Sequence, residues 1–149
     1  MNIPQEFKQF QDKTIPALDW YFDHDIDTQY DPSEWGDAWR KEFIPIAYDL
    51  LEETPIVYDN GKIYMLRVGS DISEELVSDD VSKFIDILTQ LQTYIPISNS
   101  DTIETLISKK KFIQNIARNS TEFIANELQS ELDDIEYCIE DKDGVDFYS

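Results

Sequence analysis

Residues 54–68, with the sequence TPIVYDNGKIYMLRV, decide the fold of this chain. Asn60-Gly61 separates two runs that are rich in β-branched and aromatic residues. Asn and Gly tolerate the positive φ that a type I′ turn requires at both of its central positions. The stretch therefore predicts a β-hairpin, with strands on either side of a two-residue turn.

The residues upstream of this hairpin predict a further strand and a short helix. The apolar run at residues 43–49, FIPIAYD, is typical of a strand. Its Pro45 indicates an edge or strand-start position, because Pro has no N–H to donate to a sheet. Residues 3–13 predict a short helix that Pro4 opens, with Phe7 and Phe10 on one face.

Downstream, the apolar spacing is helical. A helix is predicted at residues 79–95, with Ser78 or Asp79 as its N-cap and Pro96 after its end. A second helix is predicted from about residue 101, with Ser100 as a cap and an interruption at residues 119–120. In the tail, residues 137–139 predict a strand and residues 143–144 a turn.

This order of elements indicates an α+β fold in a single domain over residues 1–149, since strands do not alternate with helices. We expect a small, mainly antiparallel sheet with a central β-hairpin, flanked by N-terminal and C-terminal helices. Residues 100–149 form a helical, acidic C-terminal extension of the same domain. The length of 149 residues is ordinary for one domain, and 13% aromatic residues provide for a core.

The charge of the chain points to the class of partner. Asp and Glu number 32 against 12 Lys and Arg, which gives a net charge of −20. Such a charge opposes binding to nucleic acid or to an anionic membrane, favours a monomer or weak dimer, and suits a basic protein partner. Residues 1–60 carry 14 acidic and 4 basic residues, hence half of the net charge, −10.

The cysteine count and the hydropathy predict a cytoplasmic protein. Cys138 is the only cysteine, so no intrachain disulfide can form, which fits a reducing compartment. In a secretory signal an apolar stretch follows a basic one, and the first residues of this sequence lack that pattern. No window approaches 18 uninterrupted apolar residues, so no membrane span is predicted.

The catalytic residue types are scarce, and the sequence predicts neither an enzyme nor a cofactor. His24 is the only histidine, and Cys138 stands in an acidic stretch that would raise its thiol pKa. We interpret both as buried or half-buried bystanders. One Cys and one His cannot complete a zinc site, and the phosphate-binding and hydrolase motifs are missing from the sequence.

One acidic segment has the spacing of a calcium loop. Acidic residues occupy positions 1, 3, 5, 9 and 12 of an EF-hand pattern over residues 23–34. Thr28 replaces the Gly that makes the sharp turn at position 6, and Pro32 falls at position 10. We therefore predict no functional calcium site there and no bound metal.

The same segment is the predicted partner-binding surface, because only there do acidic residues alternate with Trp and Tyr, which dominate interface hot spots. The predicted partner-binding residues are Asp23, Asp25, Asp27, Tyr30, Asp31, Glu34, Trp35, Asp37 and Trp39. The C-terminal acidic run, residues 131–146, is the alternative interface. The basic cluster at residues 109–111 is interpreted as a solvated helix face.

Several of these motifs resemble the SUKH superfamily. Its members show a Trp, an IPIA-x-D strand, a strand with Gly-x-Val/Ile-Tyr and a following helix. Here the corresponding residues are Trp39, the strand at 44–49, Gly61-Lys62-Ile63-Tyr64, and a helix at 81–88. The resemblance covers about residues 3–91. Residues 50–53, LLEE, stand where the family commonly has glycines.

The resemblance implies an α+β fold with a central antiparallel sheet. It also implies an immunity protein that neutralises a secreted bacterial toxin inside the producing cell. An acidic inhibitor suits a basic toxin such as a nuclease, because opposite charge speeds association. A DNA-mimic or anti-defence inhibitor is the alternative, and a calcium-binding or adaptor module is a further one.

Overall fold

The computed structural model describes residues 4–26, 42–51, 53–68 and 72–148. A 3-10 helix, Gln5–Phe10, opens the described chain. Six strands follow: β1 (Thr14–Ile15), β2 (Trp20–Tyr21), β3 (Ile44–Asp49), β4 (Pro55–Asp59), β5 (Lys62–Val68) and β6 (Ile72–Ser78). Three helices complete it: α1 (Val81–Gln92), α2 (Ile103–Arg118) and α3 (Glu122–Tyr148).

The six strands form one antiparallel sheet in the order of the sequence, β1 to β6. The predicted α+β class with N-terminal and C-terminal helices around such a sheet is confirmed. The predicted hairpin is β4–β5, in which Asp59 pairs with Lys62 across Asn60 and Gly61. Their φ angles of 49° and 84° are both positive, as a type I′ turn requires.

Pro45 lies near the start of β3, as predicted. β2 pairs with only the last two residues of β3, Tyr48 and Asp49, so no described strand lies beside Pro45 on that side. The pairing with β4 shifts register between Pro45 and Ala47. A residue without an N–H donor is tolerated at such a place.

The main core lies between one face of the sheet and the helices. Trp20 on β2 is fully buried, and its ring contacts those of Phe84 on α1 and Phe123 on α3 at centroid distances of 6.2 and 6.5 Å. Phe7 and Phe10 of the 3-10 helix are buried in the same core. A second, smaller cluster consists of Phe43, Val57 and Leu66 with Tyr64. Because side chains alternate along a strand, Val57 faces away from the main core that its neighbour Ile56 enters.

The helix caps differ from those predicted. Asp80, rather than Ser78 or Asp79, caps α1 by accepting a hydrogen bond from the Lys83 N–H. Thr102, rather than Ser100, caps α2 in the same way. Both caps accept from the residue three positions later, the usual geometry. The predicted interruption near Asn119 separates α2 from α3.

The predicted strand at residues 137–139 and the predicted turn at 143–144 are wrong, because both lie within α3. Leu128, Leu132, Ile135 and Ile139 recur at intervals of three and four residues, and all pack into the main core. This packing extends the helix through a segment whose local sequence predicted a strand and a turn. Strands β1, β2 and β6 were not predicted.

Among the described helices, none combines the length and the apolar character that crossing a membrane requires.

Candidate functional site

Two of the nine predicted partner-binding residues, Asp23 and Asp25, lie in the described part of the chain. Seven lie outside the described residues: Asp27, Tyr30, Asp31, Glu34, Trp35, Asp37 and Trp39. The role of these seven stays a prediction. The same holds for most of the calcium-like loop and for a short helix that the sequence predicts from Trp35 to Lys41, with Ser33 as its N-cap.

Asp23 and Asp25 belong to a surface that includes residues from earlier in the chain. We call this surface the β2 patch. Its members are exposed or half-buried side chains just before β1, on or just after β2, and at the neighbouring end of β3. They are Asp12, Tyr21, Asp23, His24, Asp25 and Tyr48.

The β1–β2 hairpin brings Asp12 next to His24. The Asp12 N–H donates to the Phe22 carbonyl, and the Phe22 N–H donates to the Lys13 carbonyl at 3.1 Å. These two bonds align the residues before β1 with those after β2. Asp12 has φ of 60°, a left-handed conformation that Asp adopts more readily than most residues. The turn therefore directs Asp12 towards the residues that follow Tyr21.

His24 contacts several carboxylates. Its Nδ1 lies 2.6 Å from Oδ1 of Asp12 and 3.9 Å from Oδ1 of Asp23. Its Nε2 lies 3.0 Å from Oδ2 of Asp25. A neutral imidazole has one N–H, whereas the protonated ring donates from both nitrogens. The arrangement therefore favours the charged form of His24.

The pKa values of the pair shift in the directions that this contact requires. The hydrogen bond to Asp12, with the charges of Asp12 and Asp25, raises the pKa of His24 above its ordinary 6.5. The hydrogen bond from His24 lowers the pKa of Asp12 below its ordinary 3.8. The β2 patch has three carboxylates and one imidazole, so it is negative whether or not His24 is protonated.

Two tyrosines adjoin these acids. The ring of Tyr21 meets that of Tyr48 edge to face, with centroids 5.7 Å apart. The Tyr21 hydroxyl donates a long hydrogen bond of 3.5 Å to Oδ1 of Asp12. Desolvation, followed by the charge of Asp12, raises the pKa of Tyr21, so its hydroxyl stays protonated. The β2 patch thus combines negative charge with aromatic surface.

The prediction that His24 is buried or half-buried is wrong, because 56% of its side chain is exposed. Cys138 is half-buried, as predicted. Both ring nitrogens of His24 face carboxylates, and no described hydroxyl or thiol forms a hydrogen bond with them. In this arrangement the imidazole holds acidic side chains together.

The β2 patch also contains potential metal ligands. Asp12, Asp23 and His24 each offer one ligand atom, and these atoms lie within 4.8 Å of one another. This is the one such group in the described ranges of the chain. A structural zinc ion takes four ligands and a calcium ion six to eight oxygens, so three ligands fall short of either.

The C-terminal acidic run is partly engaged in packing within the fold. The Tyr94 hydroxyl donates to Oε2 of Glu131 at 2.6 Å, and burial together with this bond raises the pKa of Tyr94. Lys110 pairs with Glu136 at 2.5 Å. Glu140 and Asp141, further along α3, are exposed.

The basic cluster at residues 109–111 is not simply a solvated face, as the sequence indicated. Lys109 is only 13% exposed and pairs with Asp101 at 2.7 Å. Lys110 pairs with Glu136, which ties α2 to α3. Two of the three lysines thus neutralise acids of this chain.

Sequence reasoning missed Asp12, Tyr21 and Tyr48 as members of the surface. Asp12 lies twelve residues before His24, and Tyr48 lies on another strand. Their proximity depends on the pairing of β1 with β2 and of β2 with β3, and no local sequence motif predicts this pairing.

Comparison of the chain with protein-family models gave no match. Comparisons with curated proteins and with solved structures gave no match either. The resemblance to the SUKH superfamily therefore stays a prediction.

Proposed function

We propose that this protein is a non-catalytic inhibitor, an immunity protein of the SUKH type, which binds and neutralises a basic toxin. A nuclease is the expected toxin class, since nucleases carry Lys and Arg for phosphate contacts. The observation that carries the proposal is the β2 patch, where the carboxylates of Asp12, Asp23 and Asp25 surround His24 beside Tyr21 and Tyr48.

In such an inhibitor, charge affects the rate of association and aromatic surface affects the rate of dissociation. A net charge of −20 attracts a basic protein over distance and raises the association rate. Half-buried tyrosines offer rigid apolar area at a small cost in side-chain entropy, which slows dissociation. The β2 patch offers both within one small surface.

The position of the patch in the sequence supports the same role. Asp23 and Asp25 open the acidic-aromatic segment predicted to bind the partner, and residues 1–60 hold half of the net charge. An interface centred on this segment would include the patch. The resemblance to the SUKH superfamily supports the immunity role specifically.

The test is inhibition of the protein encoded by the neighbouring gene. That protein is purified and assayed for nuclease activity against increasing concentrations of this chain. We expect inhibition that is complete at a one-to-one molar ratio, because a non-catalytic inhibitor acts by occupying its target. Asp25→Lys should weaken it, and Glu140→Lys, an equal charge change on α3, is the control.

Two results would contradict the proposal. One is inactivation of the partner at far less than one equivalent, which would indicate catalysis. The other is absence of a complex with any neighbouring gene product. Inhibition of many unrelated DNA-binding proteins, competed by duplex DNA, would instead support the DNA-mimic alternative.

A further inference from the structure

A groove at the end of the sheet carries a second feature that the proposed function does not use. It lies between the 3-10 helix, the turn of the β4–β5 hairpin and the first turns of α1, and its volume is about 480 Å³. Six of its lining residues determine its chemistry: Glu6, Tyr58, Gly61, Val81, Ile85 and Asp86.

The walls of the groove carry two carboxylates, Glu6 from the 3-10 helix and Asp86 from α1. Both residues are exposed. Neither carboxylate forms a hydrogen bond or ion pair within the described ranges of the chain. Their charge is therefore available to a ligand that enters the groove.

The remaining surface is aromatic and apolar. Tyr58 is half-buried, and its ring packs edge to face on Phe7 with centroids 6.0 Å apart, which holds it in place. Val81 and Ile85 pack against the main core and leave part of their side chains in the groove.

Gly61 keeps the hairpin end of the groove open. A Cβ built on Gly61 would meet no atom within 4 Å, so this side of the turn is free space. The glycine of the type I′ turn thus lines the groove without filling the space at that end.

We propose that this groove binds an arginine side chain presented by a basic protein partner. The guanidinium group is planar, always charged and able to hydrogen-bond two carboxylates at once. It also stacks on aromatic rings, and its methylene stem packs on apolar surface. Glu6 and Asp86 supply the acceptors, Tyr58 the ring, and Val81 and Ile85 the apolar surface.

A neighbouring groove has a different set of lining residues. It has a volume of about 370 Å³, shares Asp86, and is lined by Lys83, Gln90 and Asn119. It has no aromatic residue and one acid balanced by one base. The combination of two acids with a tyrosine belongs to the first groove.

The inference rests on the proposed function only for the identity of the partner as a basic protein. Binding of arginine is testable without that partner. The probe is the peptide acetyl-Gly-Arg-Gly-amide, titrated into the ¹⁵N-labelled full chain while amide chemical shifts are followed. The matched probe carries citrulline, which has nearly the shape of arginine without its charge.

We expect saturable shifts at the amides of Gly61, Ser82 and Ile85 with the arginine peptide and none with the citrulline peptide. Glu6→Gln with Asp86→Asn should weaken binding at least about fivefold, because the charge-assisted hydrogen bonds are lost. Glu140→Gln with Asp141→Asn removes the same charge from α3, and binding should change by less than about twofold. The amide spectra show directly that each variant is folded.

Three results would overturn the inference. They are equal shifts with the citrulline peptide, shifts spread over the acidic surface without a maximum at the groove, and equal loss of binding in both double variants. If groove binding is found while the neighbouring gene product is not inhibited, the inference stands and the proposed function fails. If the neighbouring gene product is inhibited but the groove does not bind the arginine peptide, the inference fails and the proposed function stands.

Discussion

Nδ1 of His24 lies 2.6 Å from Oδ1 of Asp12, a residue twelve positions earlier that the β1–β2 hairpin brings back to it. This contact joins two exposed side chains, and it raises the pKa of His24 and lowers the pKa of Asp12. It makes the charge of the β2 patch sensitive to pH.

The first prediction concerns that titration. His24 is the only histidine, so its ring protons give a single set of NMR signals that reports its pKa directly. We expect this pKa above the ordinary 6.5, because Asp12 and Asp25 favour the imidazolium form. Asp12→Asn should lower it, whereas Glu140→Gln on α3 should leave it unchanged. An unchanged pKa in Asp12→Asn would disprove the contact.

The sign of the linked stability follows from the same shifts. His24 has a raised pKa when folded, so its contribution is complete below its unfolded pKa and is lost as the pH rises through its folded pKa. Asp12 has a lowered pKa, so its contribution is present above its unfolded pKa and is lost as the pH falls through its folded pKa. The pair therefore stabilises the fold between the titrations of the aspartate and the histidine. In Asp12→Asn the free energy of unfolding should depend less steeply on pH at both ends of that range.

The second prediction compares two threonines. The Thr54 hydroxyl is buried and has no hydrogen-bond partner among the residues that the structure describes. The Thr121 hydroxyl, in contrast, donates to the Val77 carbonyl at 2.6 Å and accepts from the Ile124 N–H. Thr54→Val should raise the free energy of unfolding by about 1 kcal/mol, because an unpaired hydroxyl leaves the interior. Thr121→Val should lower it by about 1–2 kcal/mol, because a helix cap is lost and a carbonyl is left unpaired. Urea denaturation measures the free energy of unfolding of both variants. If Thr54→Val is less stable than the unmodified chain, the Thr54 hydroxyl has a hydrogen-bond partner.

The third prediction concerns the hairpin turn. Gly61→Val places a β-branched residue at φ of 84° and should cost about 1–3 kcal/mol. No atom lies within 4 Å of the added Cβ position, so the cost comes from the backbone conformation. Gly61→Asn is the control and should cost less, since Asn tolerates positive φ. Equal melting temperatures for Gly61→Val and the unmodified chain would contradict the type I′ turn.

The fourth prediction separates charge from aromatic surface in partner binding. Asp25→Lys should lower the association rate and flatten its salt dependence, because exposed charges act within a Debye length of about 8 Å. Trp35→Ala, outside the described residues, should instead raise the dissociation rate by the equivalent of about 2 kcal/mol. Surface plasmon resonance with the identified partner measures both rates.

The alternative interface on α3 is tested in the same experiment. Deletion of residues 140–149 removes the end of the C-terminal acidic run. If this truncation abolishes binding while Asp25→Lys has no effect, the interface lies on α3, and the acidic-aromatic segment does not form it.

The sequence by itself determined the elements whose signals are local. Asn60-Gly61 specified the turn through the φ angles that these two residues tolerate, and the β4–β5 hairpin followed. Helix α1 followed from apolar residues at helical spacing and from Pro96 beyond its end. The excess of acidic residues is likewise a property of composition.

Only the tertiary structure decided the elements without a local signal. Strands β1 and β2 have two residues each, too few for a pattern, and they exist because β2 pairs with β3. Residues 137–139 are helical because Ile135 and Ile139 pack into the core on the path of α3. The contact between Asp12 and His24, and the groove between the 3-10 helix, the hairpin turn and α1, join residues that are distant in sequence. Such contacts form only when the whole chain folds, since packing free energy and not local conformational preference brings these residues together.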